Sequence, residues 1–174
     1  LPRGSVLFRI HRAGLRPWFF SRSGAGRFDL AASADSGSCY FAERPEGCVL
    51  EVFRSFTRII PKGELDSRRL LRIELRQDVR LADCTAERAR LWGITAEIHS
   101  TPRYEETHAW AAAFARGGFQ GIRYLLRHDP AQHLAGVVLF GPAGSPADFP
   151  DDPGEPIGEE VLDEIRRRFG IQSR

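Results

Sequence analysis

A cation, a phenol and a carboxylate fall on three consecutive short segments of the chain: Arg27 in Gly24-Ala-Gly-Arg-Phe-Asp-Leu30, Tyr40 in Ser38-Cys-Tyr-Phe-Ala42, and Glu51 in Cys48-Val-Leu-Glu-Val-Phe53. If a loop, a strand and a helix fold back on one another, the three converge. A forked guanidinium, a flat ring bearing a hydroxyl and a carboxylate together describe a site for an anionic ligand. Gly24 and Gly26 allow backbone angles or a close ligand approach that a side chain would hinder, immediately before the fixed charge. Glu51 stands among Val49, Leu50, Val52 and Phe53, so its segment is expected to be buried, where an ion needs a partner or a task. The plainer alternative is a structural Arg27–Glu51 ion pair with Tyr40 as an ordinary core residue.

Further cations lie at strand-like positions. In Val6-Leu-Phe-Arg-Ile-His11, alternation puts Arg9 and His11 on one face and Phe8 and Ile10 on the other. Arg9 is thus a second anion-binding candidate or a solvated edge residue. Gly121-Ile-Arg-Tyr-Leu-Leu-Arg-His128 places Arg123, Leu125 and Arg127 on one face, with Arg127 or His128 able to reach an anionic ligand at the strand end or to salt-bridge in solvent. His108 has no companion histidine or cysteine at ligand spacing, so it is read as a polar or packing residue and no metal site is expected.

The elements that would position these groups can be read from pattern. Pro45 suits the first turn of a helix in which Cys48, Glu51 and Ser55 recur at helical spacing. Leu71-Arg-Ile-Glu-Leu75 alternates strictly and predicts a strand exposed on one face, after a basic, irregular Arg54–Arg69. Val79–Ala82 extends or follows it, and Asp83 or Thr85 is expected to cap a short helix through Trp92 that Gly93 ends. A helix from Pro102 carries Tyr104, Thr107, His108 and Ala111 and stops at Gly117-Gly118. Leu134–Phe140 is a further strand, and Pro17-Trp-Phe-Phe20 is an aromatic cluster for core or pocket wall. A Pro/Gly-rich loop at 141–158 precedes a C-terminal helix, Glu159–Phe169, whose acids come first and arginines last, matching its dipole.

At 174 residues and 42% hydrophobic, the chain is expected to form one domain, 1–174, with a mixed α+β core. Its net charge of +2 arises from 25 basic and 23 acidic residues spread throughout, which gives no strong case for direct nucleic-acid or membrane binding. Cys39, Cys48 and Cys84 are odd in number and lack metal-ligand or redox spacing, the usage of a reduced cytoplasmic protein. No apolar run approaches a membrane span, and Leu1-Pro-Arg-Gly-Ser5 does not read as a signal peptide.

Taken in order, F-R-I-H at Phe8–His11, G-R-F-D at Gly26–Asp29, C-Y-F-A-E at Cys39–Glu43, L-E-V at Leu50–Val52, Y-E-E-T-H-A-W-A at Tyr104–Ala111 and G-I-R-Y-L-L-R-H-D at Gly121–Asp129 resemble the RES-domain family. The resemblance implies a single α+β domain related to the ADP-ribosyltransferase fold, and a bacterial toxin that depletes NAD, its substrate rather than a bound cofactor. It also implies a helix-turn-helix antitoxin or immunity protein as partner. On that reading Arg27, Tyr40 and Glu51 are catalytic, with Arg9, Arg27, Tyr40 and Arg127 binding substrate. Glu51 would stabilise the oxocarbenium-like centre formed when the nicotinamide–ribose bond breaks, and the arginines would hold the pyrophosphate. Water, phosphate or a macromolecule remains open as the acceptor. One position departs from the family: the expected serine after Gly121-Ile is Leu126, and no serine lies between Ser100 and Ser145. That leaves a catalytically silent binding or regulatory module as an alternative.

Overall fold

The computed structural model describes residues 1–33, 35–147 and 149–174. Its strands are β1 (Val6–Arg12), β2 (Ser36–Ala42), β3 (Ile59–Ile60), β4 (Arg68–Glu74), β5 (Leu81–Asp83), β6 (Gly121–Leu125), β7 (Ala135–Pro142) and β8 (Gln172–Ser173). The helices are α1 (Pro45–Val52), α2 (Lys62–Asp66), α3 (Glu97–Ser100), α4 (Tyr104–Arg116) and α5 (Glu159–Phe169).

Six strands form one sheet in the order β4-β1-β2-β7-β6-β5, antiparallel except where β5 runs beside β6, while β3 and β8 form a small parallel pair. The pleat sorts the sequence between two cores. Phe8, Ile10, Tyr40, Ala42, Ile122, Tyr124 and Val138 face the layer containing α1, α4 and α5. Leu7, Cys39, Phe41, Val137 and Leu139 face the other way, where Trp18 and Phe20 cover them with Phe149. The aromatic run Trp18–Phe20 is therefore used on the face away from the helices, although Phe19 itself is exposed.

Between its first and second strands the sheet parts. β1 follows β4 over seven paired residues, but β1 and β2 share only the pair Phe8↔Ala42. That parting lets a side chain from one face of β1 reach the other side. α1 lies against β1, β2 and α5, with Pro45 in its first turn as expected.

The departures from the sequence reading have local causes. Arg54–Arg69 is not wholly irregular: β3 pairs with the C-terminal β8, and Lys62–Asp66 makes one helical turn too short to show a period. Asp83 and Thr85 do not cap the turn ending at Trp92. Asp83 Oδ1 instead accepts from the backbone N–H (2.9 Å) and hydroxyl (2.6 Å) of Thr85, and the turn, a 3-10 helix over Glu87–Trp92, begins after Ala86 and ends at left-handed Gly93. Strand β6 stops at Leu125 rather than His128. Buried Asp129 turns the chain there by accepting from the backbone N–H groups of Ala131 (3.2 Å), His133 (2.7 Å) and Leu134 (2.9 Å). The Pro/Gly-rich stretch contributes Gly141 and Pro142 to β7 and is tied at Gly144 to Phe20 and at Glu155 to Leu70 of β4 before α5.

Candidate active site

Two side chains of β2 build the loop that carries Arg27. Ser38 and Tyr40, two apart and so on one face, both point at the turn from Gly26 to Leu30. Ser38 Oγ donates to the Phe28 carbonyl (2.9 Å) and accepts from the Leu30 N–H (3.1 Å). The Tyr40 hydroxyl accepts from the Phe28 N–H (2.9 Å) and donates to Asp29 Oδ1 (2.8 Å), while Asp29 Oδ2 accepts from the Gly26 N–H (3.1 Å). A Cβ on Gly26 would lie 2.4 Å from both Asp29 Oδ1 and the Tyr40 hydroxyl, so glycine is required there by close approach. Gly24, by contrast, has φ +74°.

The first turn of α4 and the segment before it grip the same loop from the opposite side. The Thr107 hydroxyl donates to the Arg27 carbonyl, and His108 Nε2 lies 2.8 Å from the Gly26 carbonyl as its donor. Arg27 Nη1 donates to the Thr101 carbonyl (2.5 Å), and its guanidinium lies over the Tyr104 ring at 5.1 Å. Arg27 is 7% exposed, yet its Nη2 has no partner. Burial lowers its pKa from the ordinary arginine value.

Glu51 faces this loop from α1, with Oε1 buried and unpartnered. Burial pushes its carboxyl above the usual range, against the opposing pull of Arg54, Arg127, Arg27 and the His128 backbone N–H. No ion pair among the described residues joins Arg27 to Glu51, so the structural-pair alternative does not describe this site. Each presents an unsatisfied polar atom.

Both line a cleft of about 470 Å³ with Arg9, Tyr40, Arg127 and His128, which brings together all five sequence-identified site residues. Arg9 springs from the face of β1 opposite the helices and passes through the parting between β1 and β2. Its Nε donates to the Pro17 carbonyl (2.8 Å) and its Nη1 to the Tyr40 carbonyl (2.9 Å). Arg127, exposed, reaches the cleft because the chain turns after Leu125. Arg123 is elsewhere, held by Glu43 through Nε–Oε1 (2.6 Å) and Nη2–Oε2 (3.0 Å). The Tyr40 hydroxyl is engaged by Asp29 and Phe28, and burial followed by the Asp29 charge raises its pKa well above the ordinary phenol.

Several wall residues were not singled out as ligand contacts by the sequence, although Arg54 is charged and Ser55 shares the helical spacing of Glu51. Tyr104, Tyr124, Arg54 and Ser55 join the lining, and Asp29 organises the loop from behind. Tyr104 and Asp29 do sit inside the motifs Tyr104–Ala111 and Gly26–Asp29. Leu126 is 1% exposed and lies between Gly47 and Gly136 rather than on the cleft wall. The described residues include no group of three or more His, Cys, Asp or Glu placed to hold a metal. None of their helices is long and apolar enough to cross a membrane.

A model of the RES domain matches residues 6–157. Among solved structures, the chain matches one described as the crystal structure of the M. tuberculosis MbcT–MbcA toxin–antitoxin complex, with a TM-score of 0.63 and 18% identity over 80% of this chain and 75% of that one. At that identity the match establishes a shared architecture, the single mixed α+β domain described above. No curated protein sequence matches the chain.

Proposed function

The chain belongs to the RES-domain family, and from that premise we propose that it is the toxin of a toxin–antitoxin pair and acts by cleaving the nicotinamide–ribose bond of NAD. The observation that carries the chemistry is the pair of buried, unpartnered polar atoms, Arg27 Nη2 and Glu51 Oε1, facing one cleft without pairing to each other. Buried polar groups left unsatisfied in this way await a ligand. Arg9, Arg27, Arg54 and Arg127 against the single carboxylate of Glu51 give the cleft an excess of positive charge suited to a pyrophosphate.

In the reaction the C1′–N bond breaks and its electron pair leaves with nicotinamide. The ring goes from pyridinium to neutral, so no general acid is needed for departure. Positive charge then develops on the ribose, where the Glu51 carboxylate stabilises it and orients the incoming nucleophile. Burial makes that carboxylate more basic than usual, which favours proton acceptance from an attacking water. Tyr40 acts mainly by position: with its hydroxyl committed to the Arg27 loop, it offers the ligand its ring. Tyr104 and Tyr124 add aromatic wall for nicotinamide. NAD is substrate here, and no separate cofactor enters.

Purified protein incubated with NAD, with and without phosphate, tests this. Loss of NAD with release of nicotinamide is expected, and the second product, ADP-ribose or its 1-phosphate, identifies the acceptor. An intact NAD pool in the presence of folded protein would refute the activity. The structural neighbour was solved with an antitoxin, and the arginine-lined cleft fits an acidic group or chain-terminal carboxylate from such a partner, of helix-turn-helix type. Co-expressed antitoxin should restore growth and NAD together. Rescue that leaves NAD loss unchanged would place the antitoxin elsewhere.

A further inference from the structure

At the far side of the sheet from β5, β4 is an outer strand whose free edge has a defined pattern. Leu75 N–H donates to the Ser5 carbonyl (2.9 Å) and Ala13 N–H to the Ser67 carbonyl (2.9 Å), which places Leu71 and Ile73 in the hydrogen-bonded pairs with β1. The backbone groups of the alternate residues Leu70, Arg72 and Glu74 therefore point away from the sheet. Those of Leu70 are taken by Glu155, at 2.7 and 2.9 Å. The crossing segment cannot continue the ladder, because the residue due opposite Arg72 is Pro153, which has no N–H. Arg72 and Glu74 thus expose open backbone groups, and their exposed side chains have no ion pair among the described residues.

We propose that this edge is a homodimer interface in which β4 pairs antiparallel with β4 of a second copy about a two-fold axis at Ile73. Three features of one short strand agree on that register. First, Arg72 comes opposite Glu74 of the second copy, and Glu74 opposite its Arg72. These are the two residues with outward backbone groups, so both pairs are hydrogen-bonded ones. Second, the two pairs set opposite charges face to face on one side of the sheet. An edge carrying a single sign would repel its copy, a common protection of free strands; here the two facing pairs are of opposite sign, while Arg68, Arg69 and Arg76 lie outside them. Third, on the other side half-buried Ile73 meets Ile73 across the axis, in front of Leu71 and Leu75, which are already buried within each copy. Ile73 borders a groove of about 880 Å³ walled by Trp18, Phe20 and Phe149 and also by Arg3, Arg76 and Asp152, so the contact continues into a surface of mixed apolar and charged character. The contact is isologous and closes on itself, giving a dimer rather than a fibre. With only two hydrogen-bonded residue pairs, it is a reversible one.

Sedimentation of the purified chain over a range of concentrations is the test. The parent should pass from monomer to dimer. Arg72→Glu should weaken association about tenfold or more, since symmetry turns both attractive pairs into repulsive ones. The double exchange Arg72→Glu with Glu74→Arg should restore it, because it re-forms both pairs with the charges swapped. Circular dichroism checks that each variant is folded. Amide exchange of the parent gives a reading free of substitution: the Arg72 and Glu74 N–H groups should become protected at high concentration. A monomer at every concentration, a dimer indifferent to Arg72→Glu, a double exchange that fails to restore association, or edge amides that stay unprotected would each overturn the proposal.

Discussion

Replacing Glu51 by glutamine should abolish NAD cleavage and at the same time make the protein more stable at neutral pH. Glu51 Oε1 is buried without a partner, and burial raises the pKa of the carboxyl despite the favourable pull of Arg54, Arg127 and Arg27. A folded-state pKa above the unfolded value means the ionised form is the costly one. Below the ordinary carboxylate pKa both folded and unfolded chains hold the proton, and the carboxyl imposes no ionisation cost. As pH rises through the raised value the parent loses that advantage, whereas a glutamine does not titrate. An unsatisfied buried polar group costs about 1–3 kcal/mol, and the amide retains part of that, so a gain of about 1 kcal/mol is expected at pH ~7. For a chain of 174 residues this amounts to about 2–4 °C in Tm. Thermal unfolding of both proteins at neutral and acid pH reads the effect, which should vanish at the acid end. The parent's activity should fall on the acid side at a higher pH than an ordinary carboxylate would cause. A glutamine variant that is less stable, or more stable by the same amount at every pH, would refute the burial argument. One that still consumes NAD would remove Glu51 from the reaction.

Three further substitutions probe the rest of the site. Arg27→Lys should weaken NAD binding, because a point charge cannot hold the Thr101 carbonyl, sit over Tyr104 and offer a fork to the ligand together; unchanged affinity by calorimetry would exclude the bidentate role. Tyr40→Phe should cost about 1–2 kcal/mol by denaturant titration and raise KM for NAD, since it strips Asp29 Oδ1 and the Phe28 N–H of their shared partner; a loss confined to kcat with stability intact would assign the hydroxyl to chemistry instead. Leu126→Ser should destabilise by about 3–5 kcal/mol, from the lost packing and a buried hydroxyl, with little change in turnover per folded molecule. An inert parent alongside an active serine variant would reverse that reading.

The sequence by itself determined which residue types could do the chemistry and on which elements they lie. Strand alternation puts Tyr40 and Ala42 on one face of β2, proline placed the start of α1, and helical spacing put Glu51 about two turns into that helix, although the helix ends at Val52 and leaves Ser55 outside it. These are short-range properties, set by the two-residue and 3.6-residue periods of the backbone, and they survive any tertiary arrangement. Arg9 shows where local pattern stops. Its assignment to the face shared with His11 agrees with the pleat, yet it lines the cleft on the other side because β1 and β2 part after one residue pair, a property of neither strand alone. Arg127 likewise enters the cleft only because Asp129 ends β6 early and turns the chain. The partnerships of polar groups were also invisible locally. Thr101 and Thr107, seventy-four and eighty residues from Arg27, hold its guanidinium and its carbonyl, and the Tyr40 hydroxyl goes to Asp29 instead of to open space. Whether Arg27 and Glu51 formed a pair or faced a common ligand depended on how far apart α4, α1 and the glycine loop hold them. Long-range packing sets that separation, and it leaves Arg27 Nη2 and Glu51 Oε1 buried without partners, on side chains that line the same cleft.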